Sequence, residues 1–210
     1  MSRPEKAGWL SLPNALSFCA LLGACAAMLL LLRGYFYLSF ALALVALVLD
    51  MFDGMLARRL GLESEFGRQL DSHVDVFIYL LYPALAFYLF LGMKSVFSLL
   101  CLFLFLAAGI CRLVRFTLRG FEVSPDSGAR AYCGLPVYFN HLLLLLLAGL
   151  KIYQAPGFGF IACAAVLAVS GLMVSKIKVP KPASVFPFAA VLLLSALVLG
   201  LMEFYGTHSI

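Results

Sequence analysis

Asp50 and Asp53, three residues apart, close one long apolar stretch, and Asp71 and Asp75, four apart, open the next. On helices these spacings put each pair on one face. An ionised carboxylate at membrane depth is costly and marks a functional site by default. Four on a short length of chain must be offset by cations. Carboxylate oxygens suit hard ions, so the quartet points to Mg²⁺ or Mn²⁺, and two such ions would stabilise both sides of a phosphoryl displacement. Between the pairs stand Gly54, Ala57, Arg58 and Gly67. Gly54, and Ala57 one turn on, leave room beside the acids for a large ligand. Arg58 offers a planar fork for phosphate. Gly67 opens the second helix, where backbone can approach a ligand. The blander arrangement, solvated helix-end aspartates paired with Arg58, Arg59 and Arg68, leaves the joint spacing unexplained.

The elements that must position these acids are apolar. Of 210 residues, 64% are hydrophobic and 12% charged, which excludes a soluble domain. Seven candidate spans run roughly over 15–32, 35–57, 70–91, 95–117, 134–151, 157–175 and 184–204, each near the ~20 residues that cross a bilayer. The expectation is one all-α domain over 1–210, a polytopic transmembrane helical bundle of six to seven spans, the seventh being the weakest. Residues 1–13, with Arg3, Lys6 and Trp9, read as an interfacial segment. Arg119 to Cys133 is expected as the one substantial loop and Lys176 to Pro182 as a short basic one. The short connection from Arg59 to Arg68 makes the two aspartate helices antiparallel neighbours whose acidic turns meet.

Charge sets an orientation. With a cytoplasmic N-terminus, Arg3, Lys6, Arg58, Arg59, Arg68, Arg112, Arg115, Arg119, Arg130, Lys176, Lys178 and Lys181 fall on the inner side, and only Arg33, Lys94 and Lys151 on the outer. That follows the positive-inside rule and puts the acids at the cytoplasmic face of the cell (inner) membrane. The net charge of +5 is spread along the chain and gives no support to nucleic-acid binding. Six scattered cysteines, none in a C-x-x-C pair, suggest neither a disulfide framework nor a zinc site. The first apolar run continues past Cys25 to Leu32 and reads as a retained span rather than a cleaved leader.

Asp50-x-x-Asp53-Gly54-x-x-Ala57-Arg58, eight residues, then Gly67-x-x-x-Asp71-x-x-x-Asp75 resembles the full signature of the CDP-alcohol phosphatidyltransferases. The resemblance implies that Asp50, Asp53 and Asp71 ligate metal, with Asp75 contributing to a second ion and acting as general base. It implies that Gly54, Ala57, Arg58 and Gly67, with Asp53 and Asp71, hold the cytidine diphosphate. Leu12-Pro13-Asn14 is similar to that family's Pro-Asn segment, whose Asn contacts the nucleotide; Asn14 also suits a helix N-cap after Pro13. Three further stretches resemble the bacterial and archaeal phosphatidylserine synthases: Arg112 to Phe116, Tyr132 to Pro136 and Leu172 to Lys178, with Thr117 where that branch has Asn. The reaction then implied moves a phosphatidyl group from CDP-diacylglycerol to L-serine and releases CMP. A homodimer is implied as well.

Serine is a zwitterion, so its site needs a cation for the carboxylate. Arg112 and Arg115, three apart at a helix end, could supply it or grip a lipid phosphate; Arg130, Lys176 and Lys178 are further candidates. All of these could equally be snorkelling inner-side charges. Other acceptors stay open: glycerol 3-phosphate, an inositol phosphate, or choline in an aromatic cage of Tyr132, Tyr138 and Phe139. A divalent-cation transporter is the alternative from another class, but it leaves Gly54, Ala57, Arg58 and Gly67 without a role. His73 is expected on a different face from Asp71, Asn140 with His141 as an interhelical polar pair, and Ser64-Glu65 as a solvated loop.

Overall fold

A computed structural model of the chain describes residues 11–120, 122–123, 130–153, 156–180 and 186–206. It is an all-α membrane protein. Among the described residues, five helices are long and apolar enough to cross a bilayer: α1 (Leu12–Leu32), α2 (Phe36–Leu60), α3 (Glu65–Leu89), α4 (Val96–Arg119) and α7 (Phe186–Gly206). Two apolar helices are shorter, α5 (Phe139–Ile152) and α6 (Phe158–Val174). The expected interfacial segment falls, up to residue 10, outside the described residues. The described chain forms two compact units, one of residues 1–78 with 184–210 and one of 79–183.

In the first unit α1 starts where Ser11 is extended and Pro13 sits in the first turn, a place where its missing N–H costs nothing. Its buried face is narrow and built from small residues: Asn14, Ser17, Ala20, Ala24 and Ala27, ending at Leu31. This lets α2 come close. A Cβ on Gly23 would lie 3.2 Å from Ala46 Cβ, and the buried Ser39 hydroxyl donates across to Ala27 O at 2.7 Å. Small residues of this kind are how helices associate in lipid, where burying apolar surface gives no advantage.

α2 ends in a left-handed Gly61 (φ 65°), and Leu62 N–H returns to Ala57 O at 3.0 Å, which satisfies the last carbonyls. Four residues later α3 begins. Its N-cap is Ser64, whose Oγ accepts from Gly67 N–H at 3.0 Å, so the segment read as a solvated loop is the helix start and the third helix begins five residues earlier than expected. α7, expected as the weakest span, belongs to this unit. Phe186 meets Phe52 edge-on at 6.0 Å, with Arg59 over its ring at 5.8 Å. At the other end Glu203 Oε2 accepts from Tyr37 N–H (2.8 Å) and Leu38 N–H (3.2 Å), the first-turn amides of α2.

The second unit takes up α3 from Tyr79, within a π-helical turn that spans Val76–Leu81. Leu80 from this wide turn fills the notch at Gly109, where a Cβ would stand 2.2 Å from Leu80 Cδ2. Asn140 Nδ2 donates to Tyr79 O at 2.8 Å, giving a partner to a carbonyl of the altered ladder. The expected loop from Arg119 to Cys133 carries two strands instead, β1 (Glu122–Val123) and β2 (Arg130–Cys133). With β3 (Lys178–Pro180), taken from the short basic connection, they form an antiparallel sheet in the order β1-β2-β3. Tyr132 pairs with Val179 and Cys133 with Lys178. The fifth span was expected from residue 134, but Gly134 (φ +84°) and Pro136 keep the chain in turns until Phe139. The resulting 14-residue helix is about 21 Å long, short of the ~30 Å hydrocarbon layer.

Candidate active site

The aspartates divide into a trio and a neighbour. Asp50 and Asp53 are buried on α2, and one carboxylate oxygen from each of Asp50, Asp53 and Asp71 lies within 4.8 Å of the others. Asp75 is half-buried one turn beyond Asp71 on α3 and is not part of that trio. Asp53 Oδ1 has no hydrogen-bond partner, while Oδ2 accepts from the buried Ser17 hydroxyl. Among the described residues, neither Asp53 nor Asp71 is ion-paired with an arginine; the pair formed is Arg68 with Glu65, exposed at 2.5 Å. The bland pairing with Arg58, Arg59 and Arg68 therefore does not account for these two acids. Three hard oxygen donors, with the buried Asp53 Oδ1 unsatisfied, are a donor set that Mg²⁺ or Mn²⁺ fits.

The residues around the trio explain the small side chains of the signature. The Arg58 guanidinium folds back along Gly54, where a Cβ would meet Nη1 at 3.4 Å, and its field reaches both Asp53 and Asp71. Gly67 is tighter. A Cβ there would stand 2.9 Å from Asn14 Oδ1 and 3.2 Å from Ser64 Oγ. Asn14 is not an N-cap: Ser11 holds that position, and Asn14 is the third helical residue, 3% exposed. Ala57 is half-buried and serves the end of α2 through its carbonyl. Thus α1, α2 and the start of α3 bring Asn14, Ser17, Asp50, Asp53, Gly67 and Asp71 together. Ser17 was not anticipated. The available signal was its position three residues after Asn14, on the same helical face. His73 is exposed, its Nδ1 2.6 Å from Gln69 O of its own helix, away from the trio as expected.

In the second unit the two arginines of α4 do different work. Arg112 is 5% exposed, with its guanidinium over the rings of Phe116 (5.2 Å) and Tyr132 (5.5 Å). Arg115, expected as a second ligand cation, gives Nη1 to Val174 O (2.9 Å) and Nη2 to both Cys133 O and Met173 O (2.7 Å each). Its donors are committed to backbone. Arg130 lies on β2, its side chain outside the described residues; Lys178 is exposed on β3. Thr117 donates to Leu113 O at 3.1 Å within its own helix. Tyr138 and Phe139 stack at 4.9 Å, and the Tyr132 ring lies 5.5 Å from the Arg112 guanidinium carbon. His141 is buried, stacked on Tyr82 (6.0 Å) and edge-on to Tyr79 (5.9 Å).

Comparison with known proteins agrees with this arrangement. The family model described as CDP-alcohol phosphatidyltransferase matches residues 10–173. Three similar proteins each carry the name CDP-diacylglycerol–serine O-phosphatidyltransferase. The one from Methanocaldococcus jannaschii is 29% identical over 167 residues, 79% of this chain and 76% of its own length. That of Bacillus subtilis is 32% identical over 133 residues, covering 63% and 68% respectively. That of Mycobacterium leprae is 27% identical over 147 residues, covering 68% of this chain but 49% of the relative. The signature acids, the α1 contacts that frame them and a match over most of the sequence converge: the chain belongs to the CDP-alcohol phosphatidyltransferase family.

Proposed function

We propose that the protein transfers a phosphatidyl group from CDP-diacylglycerol to L-serine, yielding phosphatidylserine and CMP. The observation that carries this reading is the meeting of Asp50, Asp53 and Asp71, framed by Asn14 and Gly67, together with relatives that bear the name of this reaction. Asp50, Asp53 and Asp71 would hold divalent metal, with Asp75 serving a second ion; bound Mg²⁺ or Mn²⁺ supplies charge neutralisation at the diphosphate. Asn14, Gly54, Ala57, Arg58 and Gly67 hold the nucleotide diphosphate. Arg58 contributes the fork for phosphate oxygens, and the glycines keep side chains out of the ligand's way.

Asp75 takes the proton from the serine hydroxyl. The serine oxygen forms a bond to the phosphorus on the lipid side. The bond between that phosphorus and the oxygen bridging to the cytidine phosphate breaks, and CMP leaves with the electron pair. Arg112 binds an oxyanion of a substrate, either the serine carboxylate or a lipid phosphate. The excess of Lys and Arg on one side supports a reaction at the cytoplasmic face of the cell membrane, and the family resemblance supports a homodimer as the working form.

The test is purified protein with CDP-diacylglycerol and Mn²⁺ or Mg²⁺, offered serine, glycerol 3-phosphate, inositol phosphate and choline in turn. CMP and phosphatidylserine with serine alone are expected. A different preferred alcohol would reassign the acceptor, and no CMP with any of them would reject the enzyme. Asp75→Asn should abolish turnover while leaving nucleotide binding largely intact; lost binding with residual turnover would remove the base role from Asp75.

A further inference from the structure

Arg112 and Arg115 are one turn apart on α4, and the sequence offers them as equals. Their surroundings differ in kind. Met173 and Val174 are the last residues of α6, whose carbonyls have no partner within the helix. Arg115 satisfies both, and its Nη2 also reaches Cys133 O at the end of β2. This close approach requires a bare backbone at residue 134. A Cβ on Gly134 would stand 2.5 Å from Arg115 Nη2 and 2.3 Å from Met173 O. Gly134 N–H donates to Ile177 O at 2.8 Å and Leu135 N–H to Leu172 O at 3.0 Å, so the strand end is stitched both to the α6–β3 connection and to the last turn of α6.

Tyr132, the residue before Cys133, carries the ring that flanks Arg112. It lies 5.5 Å from the guanidinium carbon and 5.7 Å from Phe116, the other ring against Arg112. A guanidinium with rings against it presents its edge, with its fixed fork of donors, to a planar or tetrahedral oxyanion. The fastening of Cys133 thus decides where one wall of Arg112 stands.

We propose that Arg115 is a positioning residue: by tying Cys133 to the end of α6 it holds the Tyr132 ring on Arg112 and keeps that guanidinium aimed for a substrate oxyanion, carboxylate or phosphate. The oxyanion part rests on the function proposed above; the Arg115–Tyr132–Arg112 coupling stands apart from it.

The full-length protein in detergent or proteoliposomes tests both parts. R115K cannot reach three carbonyls, and it should raise one KM about tenfold with kcat within about twofold, the effect of losing an oriented cationic contact. A rise in the serine KM assigns the carboxylate; a rise in the CDP-diacylglycerol KM assigns the lipid phosphate. Phenylglyoxal labelling of Arg112, followed by peptide mass spectrometry, should be slow in the wild type and several-fold faster in R115K. This readout holds whichever alcohol is the acceptor. Y132L keeps the clamp and removes only the ring, so it should reproduce both changes even if R115K fails to assemble. If R115K or Y132L lowers thermal stability but leaves both KM values and Arg112 labelling unaltered, the positioning role is overturned.

Discussion

Replacing Asp53 by Asn removes one charge from the acidic trio while keeping an oxygen for Ser17 to donate to. Two unit charges 4.8 Å apart repel by roughly 3.5 kcal/mol at an effective dielectric of ~20 and by roughly 0.9 kcal/mol in water. Asp53 takes part in two of the three pairs, so its neutralisation relieves roughly 2 to 7 kcal/mol. Against this stands the weaker Ser17 hydrogen bond, about 1 kcal/mol less favourable to a neutral amide. Lost attraction to Arg58, a weaker influence on Asp53 than the repulsion from Asp71, takes back part of the relief, so the metal-free variant should still be more stable than the wild type. With divalent ion the order reverses, because a ligand at a hundred times its dissociation constant stabilises the native state by about 2.7 kcal/mol and the variant has lost a ligating oxygen anion. Thermal unfolding in detergent, with EDTA and again with MnCl₂, reads both effects. A D53N protein that is less stable than wild type in EDTA, or that gains as much from Mn²⁺ as wild type does, would refute the electrostatic account of the trio.

Gly67→Ala should lower nucleotide binding and turnover together, because its Cβ would press on Asn14 Oδ1 at 2.9 Å; isothermal titration with CMP and an activity assay check this. Glu203→Ala should destabilise the protein by about 1 kcal/mol through the uncapped amides of Tyr37 and Leu38, seen as a lower unfolding midpoint with KM values unchanged. Gly109→Ala drives a methyl into Leu80 and should cost about 1–3 kcal/mol; the double variant Gly109→Ala, Leu80→Ala should recover part of that loss in the same unfolding assay.

The features legible in the sequence were those that depend on neighbours along the chain. Hydropathy placed α1, α2, α4 and α7 within a few residues, and the i,i+3 and i,i+4 spacings anticipated that acids of α2 and α3 would meet. What escaped notice depends on distant partners. Ser17 looks like an ordinary membrane-helix serine until α2 presents Asp53 to it. Glu203 looks like a stray charge until the start of α2 needs an acceptor. Arg115 shares its type and spacing with Arg112, and only the fold separates a backbone clamp from a ring-flanked cation. β1 to β3 are too short for alternation to show, and the pairing of β2 with β3 joins segments nearly fifty residues apart. The early start of α3 was signalled by Ser64 and obscured by the polar first turn, where Glu65 and Arg68 mask the helix to a hydropathy scan.

The wide turn at Val76–Leu81 gives α3 two phases. One surplus residue in the coil amounts to about 100° of rotation along the helix. Excising a single residue between 76 and 81 would restore a uniform pitch and swing every later side chain by that angle. Leu80 would leave its seat at Gly109 and the carbonyl of residue 79 would turn from Asn140. A substitution in this stretch is therefore far milder than a one-residue deletion, and length, more than composition, is what the segment must preserve.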